Sequence, residues 1–236
     1  MKNIVVVGAS GGIGQEFVNQ IVERPDVQII HACARSELRF NNSKIKTYYC
    51  DYANEQSVAQ IFNEIDVPLD MVIVATGLLH NLDLQPEKTI KSLDLSNSQD
   101  IYLVNVIGPS LVMKYALPKM NRNEKSVFAA LSARVGSISD NRLGGWYTYR
   151  ASKSALNMVI KSASIEMART HPEMAIIGLH PGTVDTELSK PFQGFVQSHK
   201  LFTSNDSVRR MLEVIDKCTS NQSGRIFDYS GHEIQP

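Results

Sequence analysis

IVVVGASGGIG, running from Ile4 to Gly14, is the stretch that decides the fold. Ile4 to Val7 form a short apolar run rich in β-branched residues, which reads as a strand buried on both faces. Gly8, Ala9, Ser10, Gly11, Gly12, Ile13 and Gly14 follow at once, and a segment of helical period from Ile13 to Glu23 comes next. A tight strand-to-helix turn needs residues without a Cβ, both for unusual φ/ψ and for close approach of the backbone to a ligand. A helix N-terminus presents unpaired N–H groups and partial positive charge, so the ligand expected there is a pyrophosphate. Gly8, Ser10, Gly12, Ile13 and Gly14 are therefore the expected contacts, a purely structural turn being the other reading. No Lys followed by Ser or Thr comes after the glycines, which excludes a triphosphatase loop.

Beyond this stretch, β-rich apolar runs alternate with helix-period segments almost to the end of the chain. Strands are predicted at Val27 to Ala34, Lys44 to Cys50, Leu69 to Ala75, Ser126 to Leu131 and Ala175 to Leu179, with a short edge strand at Arg225 to Phe227. Helices are predicted at Gln56 to Ile65, capped by Asn54, and at Tyr147 to Arg169. Ser98 to Met120 also reads as helical, bent or divided by Gly108 and Pro109. Ser204 is expected to cap a last helix whose Val208, Met211, Leu212 and Ile215 fall at helical spacing. Such alternation implies an α/β fold: a Rossmann-type, doubly wound parallel sheet of about seven strands with helices on both faces. No repeat or linker interrupts it, so residues 1–236 are expected to form one domain. Asp185 to Thr203 lacks periodicity, and so long an irregular segment is either a substrate lid or a disordered loop.

Composition narrows the function. Of 236 residues, 43% are hydrophobic, and Lys plus Arg balance Asp plus Glu at 24 each, giving no electrostatic reason to expect nucleic acid or an anionic membrane. Ile4 to Val7 is too short for the apolar core of a signal peptide, and Met71 to Leu79 is under half of a membrane span. A soluble, cytoplasmic protein is expected. Cys33, Cys50 and Cys218 have no CxxC pair or matching histidine pattern, so no metal site is expected and buried thiols are.

Two further features carry chemistry. The second strand ends Ala34-Arg35-Ser36, where an NAD site would place a carboxylate for the ribose hydroxyls. A guanidinium there suits a 2′-phosphate, which favours NADP(H) over NAD(H), although Glu37 is close by and Arg35 also reads as a plain surface cation. Tyr149 and Lys153 are one helical turn apart on one face. A phenol of pKa about 10 needs help to trade protons at neutral pH, and a neighbouring ammonium provides it.

Glycine turn and YxxxK together make the chain resemble the short-chain dehydrogenase/reductase family over essentially its whole length. The TGxxxGxG turn is matched from Val7 to Gly14 with Val for Thr, and YxxxK by Tyr149 to Lys153. The phrases Leu131 to Ser137 and Gly145 to Ala155 are similar to C-factor-like and sniffer-like carbonyl reductases.

The resemblance implies an adenine contact at Asp51 with Tyr52 beside it. It implies a cofactor segment at Val74, Ala75, Thr76 and Gly77, without the family's two asparagines. Pro181, Gly182, Val184 and Thr186 would meet the nicotinamide and pyrophosphate side, and Lys153 the ribose. Asn105 would hold a water leading protons to Lys153, with Tyr149 as acid-base group.

The family serine that bonds the substrate oxygen is the second of a pair, and here the pair reads Ser132-Ala133. Ser132 serves if the strand end shifts by one residue, and Ser137 or Ser139 would have to reach in from the loop. Tyr147 rivals Tyr149 but has Ala151 four residues on, which leaves it a packing or pocket-lining role; His80, His180 and His199 are not needed.

The expected function is thus hydride transfer to or from a small carbonyl or alcohol substrate. The rival is a dinucleotide-binding sensor or signalling protein with little turnover. An extended-type epimerase or dehydratase needs a larger C-terminal domain than the roughly fifty residues after Gly182. By resemblance, helices around Ser98 to Met120 and Tyr147 to Arg169 would form a homodimer or homotetramer surface. A monomer is the alternative, since Ala151, Ser154, Ala155, Ser162 and Ala163 also suit packing on the protein's own sheet.

Overall fold

The computed structural model describes residues 1–195 and 200–236. Its sheet comprises β1 (Lys2–Val7), β2 (Val27–Ala34), β3 (Ile45–Tyr49), β4 (Met71–Val74), β5 (Ser126–Leu131), β6 (Met174–His180) and a later strand at Ile226–Asp228. These seven run parallel in the order β3-β2-β1-β4-β5-β6, with the Ile226–Asp228 strand at the far edge. Strand order reverses beside β1, between its neighbours β2 and β4, which opens a crevice at the strands' carboxyl ends.

The period of two along β1 sorts the core into two layers. Ile4 and Val6 pack with Phe17 and Ile21 of α1 (Gly12–Val22) on one face. Val5 and Val7 pack on the other with Val58 and Phe62 of α2 (Glu55–Glu64), and with residues of the two long helical segments that follow. Asn54 caps α2 as expected, accepting from Gln56 N at 3.1 Å.

The long helical segment departs from expectation at its start, and it is divided just before Gly108 as expected. It begins earlier, as α3 (Leu95–Tyr102), because Asp94 accepts from Asn97 N at 2.9 Å and caps it. A π-turn at Leu103–Ile107 then leads into α4 (Gly108–Ala116). Pro109, in the first turn of α4, withholds one N–H from the ladder, and the ladder widens in the turn before it instead of breaking. Leu95–Lys119 is long and apolar enough to cross a membrane, contrary to the sequence expectation, yet Val112, Met113 and Ala116 pack into the core.

Tyr147–Met167 forms α5, whose Leu156 and Ile160 reach the same layer. Two short strands, β7 (Thr183–Val184) and β8 (Leu201–Phe202), pair in parallel as a separate ladder, which the irregular sequence there did not suggest. The last helix, α6 (Ser204–Lys217), is capped not by Ser204 but by Thr203, whose Oγ1 accepts from Asp206 N at 3.0 Å. The edge strand Ile226–Asp228, β9, closes the sheet.

Candidate active site

The turn from β1 to α1 is built for an anion. Gly8 sits at φ +88°, and a Cβ on it would come within 2.9 Å of Thr76 Cγ2 and 3.0 Å of the Ala75 carbonyl carbon. A Cβ on Gly14 would overlap the Gly8 carbonyl. Gly11, the residue capping α1, gives its first turn no side-chain acceptor, and no acidic residue stands in that turn. The orphan N–H groups of a helix start therefore face the crevice beside exposed Ser10 and Gly12, while Ile13 packs on the core. This cradle fits a dinucleotide pyrophosphate.

At the end of β2, Arg35 is exposed and makes no ion pair among the described residues. Glu37 is occupied by Arg39, 3.2 Å away, so its charge is offset. Asp51 is fixed by its own loop, accepting from Ala53 N at 3.0 Å. Tyr52 lies beneath the site: its hydroxyl is 3.1 Å from Thr76 Oγ1, and its ring lies directly against Gly108.

Tyr149 and Lys153 come together near Gly77. Lys153 Nζ is 5.8 Å from the Tyr149 ring centroid and donates to Leu131 O at 2.9 Å. A Cβ placed on Gly77 would lie 3.8 Å from Lys153 Nζ and 3.9 Å from Asn105 Oδ1. Burial pushes the Tyr149 phenol up to about 12 and the Lys153 ammonium down to about 8. Both shifts come from desolvation of the charged form.

Asn105, in the π-turn, is fully buried. Its Oδ1 accepts from Leu78 N at 2.8 Å, and its Nδ2 donates to Leu78 O at 2.8 Å and to Ser152 Oγ at 3.1 Å. Ser152 in turn donates to Tyr149 O at 2.7 Å. Asn105 thus ties the segment after Gly77 to the helix that carries Tyr149.

Ser132 is engaged elsewhere. It is buried, and its hydroxyl donates to Asn157 Oδ1 at 2.6 Å. Its neighbour, in the position of the family serine, is Ala133. Ser137 and Ser139 lie 3.3 Å apart, and Ser137 Oγ accepts from Asp140 N.

A roof crosses the crevice. Pro181 O accepts from Ser207 Oγ at 2.7 Å, and Gly182, at φ +79°, is covered by the rings of Phe202 and Tyr229. Val184 is buried in the β7–β8 ladder. Thr186 Cγ2 would touch a Cβ on Gly12 at 3.2 Å, and Leu188 Cδ1 one on Gly77 at 3.9 Å. Phe192 packs on Trp146 at 4.9 Å, and Trp146 on Tyr149 at 6.2 Å, both edge to face.

His80 belongs to this roof, which its residue type gave no sign of. Its Nε2 is 3.0 Å from Leu188 O, and its ring meets Phe192 at 5.5 Å. Tyr147 is 39% exposed, and residues 196–199 of the expected lid, His199 included, lie outside the described residues.

A family model for short chain dehydrogenases matches residues 2–195. The chain is 36% identical over 143 residues to "C-signal" of Myxococcus xanthus, covering 60% of this chain and 80% of that protein. It is 29% identical to 1-hydroxy-2-glutathionyl-2-methyl-3-butene dehydrogenase of Rhodococcus sp. (strain AD45), over the full length of both. Its fold matches NADPH-bound carbonyl reductase from chicken fatty liver with a TM-score of 0.86 at 21% identity, covering 100% of this chain and 94% of that one.

Proposed function

The chain belongs to the short chain dehydrogenase family, and from that premise we propose that it is an NADP(H)-dependent oxidoreductase acting on a small carbonyl or alcohol substrate, with Tyr149 and Lys153 as its acid-base pair. The observation that carries this reading is the burial of Tyr149 and Lys153, one helical turn apart, at the Gly77 end of a crevice whose other end is the uncapped glycine turn.

Gly8, Ser10, Gly12, Ile13 and Gly14 hold the pyrophosphate, Asp51 the adenine and Arg35 the 2′-phosphate. Tyr52 acts through Thr76. Ala75, Thr76 and Gly77 line one side of the cofactor, Pro181, Gly182 and Val184 the nicotinamide side, and Thr186 the pyrophosphate side. A bound nicotinamide supplies or accepts the hydride. In reduction, Tyr149 gives its phenol proton to the developing alkoxide, and in oxidation it takes that proton from the alcohol.

A phenol raised to about 12 keeps its proton until a stronger base, the alkoxide, forms beside it. Lys153, at about 8, is mostly protonated at neutral pH, so its charge lowers the cost of phenolate and its N–H groups can hold a ribose. Asn105 keeps Leu78 and Ser152 in place around the pair. Ser132 orders Asn157, which leaves Tyr149 as the donor to the substrate oxygen.

The apolar side chains of Met158 and Ile165, both more than half exposed on α5, support a homodimer or homotetramer. The test is Tyr149→Phe in the purified protein, with NADPH and a panel of ketones and aldehydes. Turnover is expected to fall by about 100-fold or more while NADPH still binds; undiminished turnover refutes the assignment.

A second reading, a dinucleotide-binding signalling protein with little turnover, is favoured by Ala133 in the serine position and by the likeness to C-signal. Tight NADPH binding without turnover on the whole panel would select it.

A further inference from the structure

Glu87 is a carboxylate with no part in the proposed chemistry, yet it is only 5% exposed, in the loop between β4 and α3. A buried carboxylate needs partners. Both oxygens turn to Thr148, the residue before Tyr149: Oε2 accepts from Thr148 N at 3.3 Å, and Oε1 accepts from the Thr148 hydroxyl. The main-chain oxygen of Glu87 accepts from Trp146 N at 2.6 Å.

Trp146 is where the start of α5 departs from ordinary practice. It stands in the capping position without a side-chain acceptor, at φ 50° and ψ 43°, and is the only non-glycine residue with positive φ among the described residues. A bulky residue persists in that strained conformation only when its surroundings hold it there. The outcome is an aromatic ring set between Tyr149 and Phe192.

We propose that Glu87 is the positioning residue of this site, a helix cap supplied from a loop 61 residues away in sequence that sets both Trp146 and Tyr149. Its carboxylate satisfies an orphan N–H at the positive end of α5, and its carbonyl holds Trp146 left-handed. Only the kinetic part of the test rests on the proposed function.

Trp146 is the single tryptophan of the chain, so its emission reports the clamp without any substrate. The experiment compares Glu87→Ala, Glu87→Gln and Thr148→Val with the parent protein. It measures Trp emission and acrylamide quenching, NADPH affinity by cofactor fluorescence, and kcat and KM for the diketone benzil. Gln still accepts from Thr148 N and donates to the hydroxyl oxygen, so Glu87→Gln is expected to match the parent.

Glu87→Ala is expected to shift emission to the red and raise quenching, and to lower kcat roughly 10- to 100-fold with NADPH affinity nearly unchanged. Thr148→Val, which removes one of the two carboxylate bonds, gives a smaller change in the same direction and decides the matter if Glu87→Ala does not fold. Unchanged emission and quenching overturn the proposal, as does a loss of kcat that Glu87→Gln fails to restore or that NADPH affinity shares. If the parent does not reduce benzil, carbonyl reduction of that class is refuted, while the emission measurements still decide whether Glu87 holds Trp146.

Discussion

Replacing Gly108 with Ala in an unconstrained helix interior would stabilise it by about 1 kcal/mol, because glycine has the greater backbone freedom to lose. Here the added methyl would overlap Cδ2, Cε2 and Cγ of the Tyr52 ring. That ring cannot slide aside freely: its backbone follows Asp51, whose N–H donates to Ser57 Oγ at 2.9 Å, and its hydroxyl is bonded to Thr76. Overpacking of this kind costs about 1–3 kcal/mol, and losing the Tyr52–Thr76 bond about 1 more. Set against the helical gain, the net loss is roughly 1–3 kcal/mol. Urea unfolding should show it as a lower midpoint at unchanged slope. The decisive comparison is a double-mutant cycle with Tyr52→Ala: once the ring is gone, the glycine replacement should be neutral or stabilising. If Gly108→Ala is as damaging without the ring as with it, the contact is not the cause.

Two other outcomes follow from buried polar groups. Burial pushes His31 down to about 4, so between pH 6.5 and 4 the unfolded chain binds a proton that the folded chain does not, and stability falls as the pH drops through that window. The full effect is about 3 kcal/mol, and His31→Gln should flatten the decline in urea midpoint between pH 7 and 4.5; an equally steep decline would show that the acid sensitivity lies elsewhere. Ser132→Ala should cost about 1–3 kcal/mol of stability, because Asn157 Oδ1 loses its donor, and leave kcat within a few-fold. A hundredfold loss of kcat at full stability would instead make Ser132 a donor to the substrate.

The scaffold was legible in the sequence wherever a local period or a local steric need specified it. The buried run Ile4 to Val7, the glycines after it, the Asn54 cap and the Tyr149–Lys153 spacing are of this kind. Features set by distant partners were not. A left-handed residue is ordinarily forecast as Gly or Asn, so Trp146 gave no sign of its conformation, which depends on Glu87 far back in the chain. His80 gains its place only because Leu188, 108 residues on, comes to it. Which way Ser132 points is decided by the register of a strand end, where one residue exchanges one face for the other. The start at Asp94 was missed because the apolar period of that helix begins only after its first exposed turn.

The π-turn at Leu103–Ile107 separates two jobs that one continuous helix would have to share. An α-helix advances about 100° per residue, so every side chain downstream is angularly indexed to every one upstream. One wider turn offsets that indexing by a fixed angle. Asn105 can then turn its amide to Leu78 and Ser152 while α4 keeps Val112, Met113 and Ala116 against the sheet.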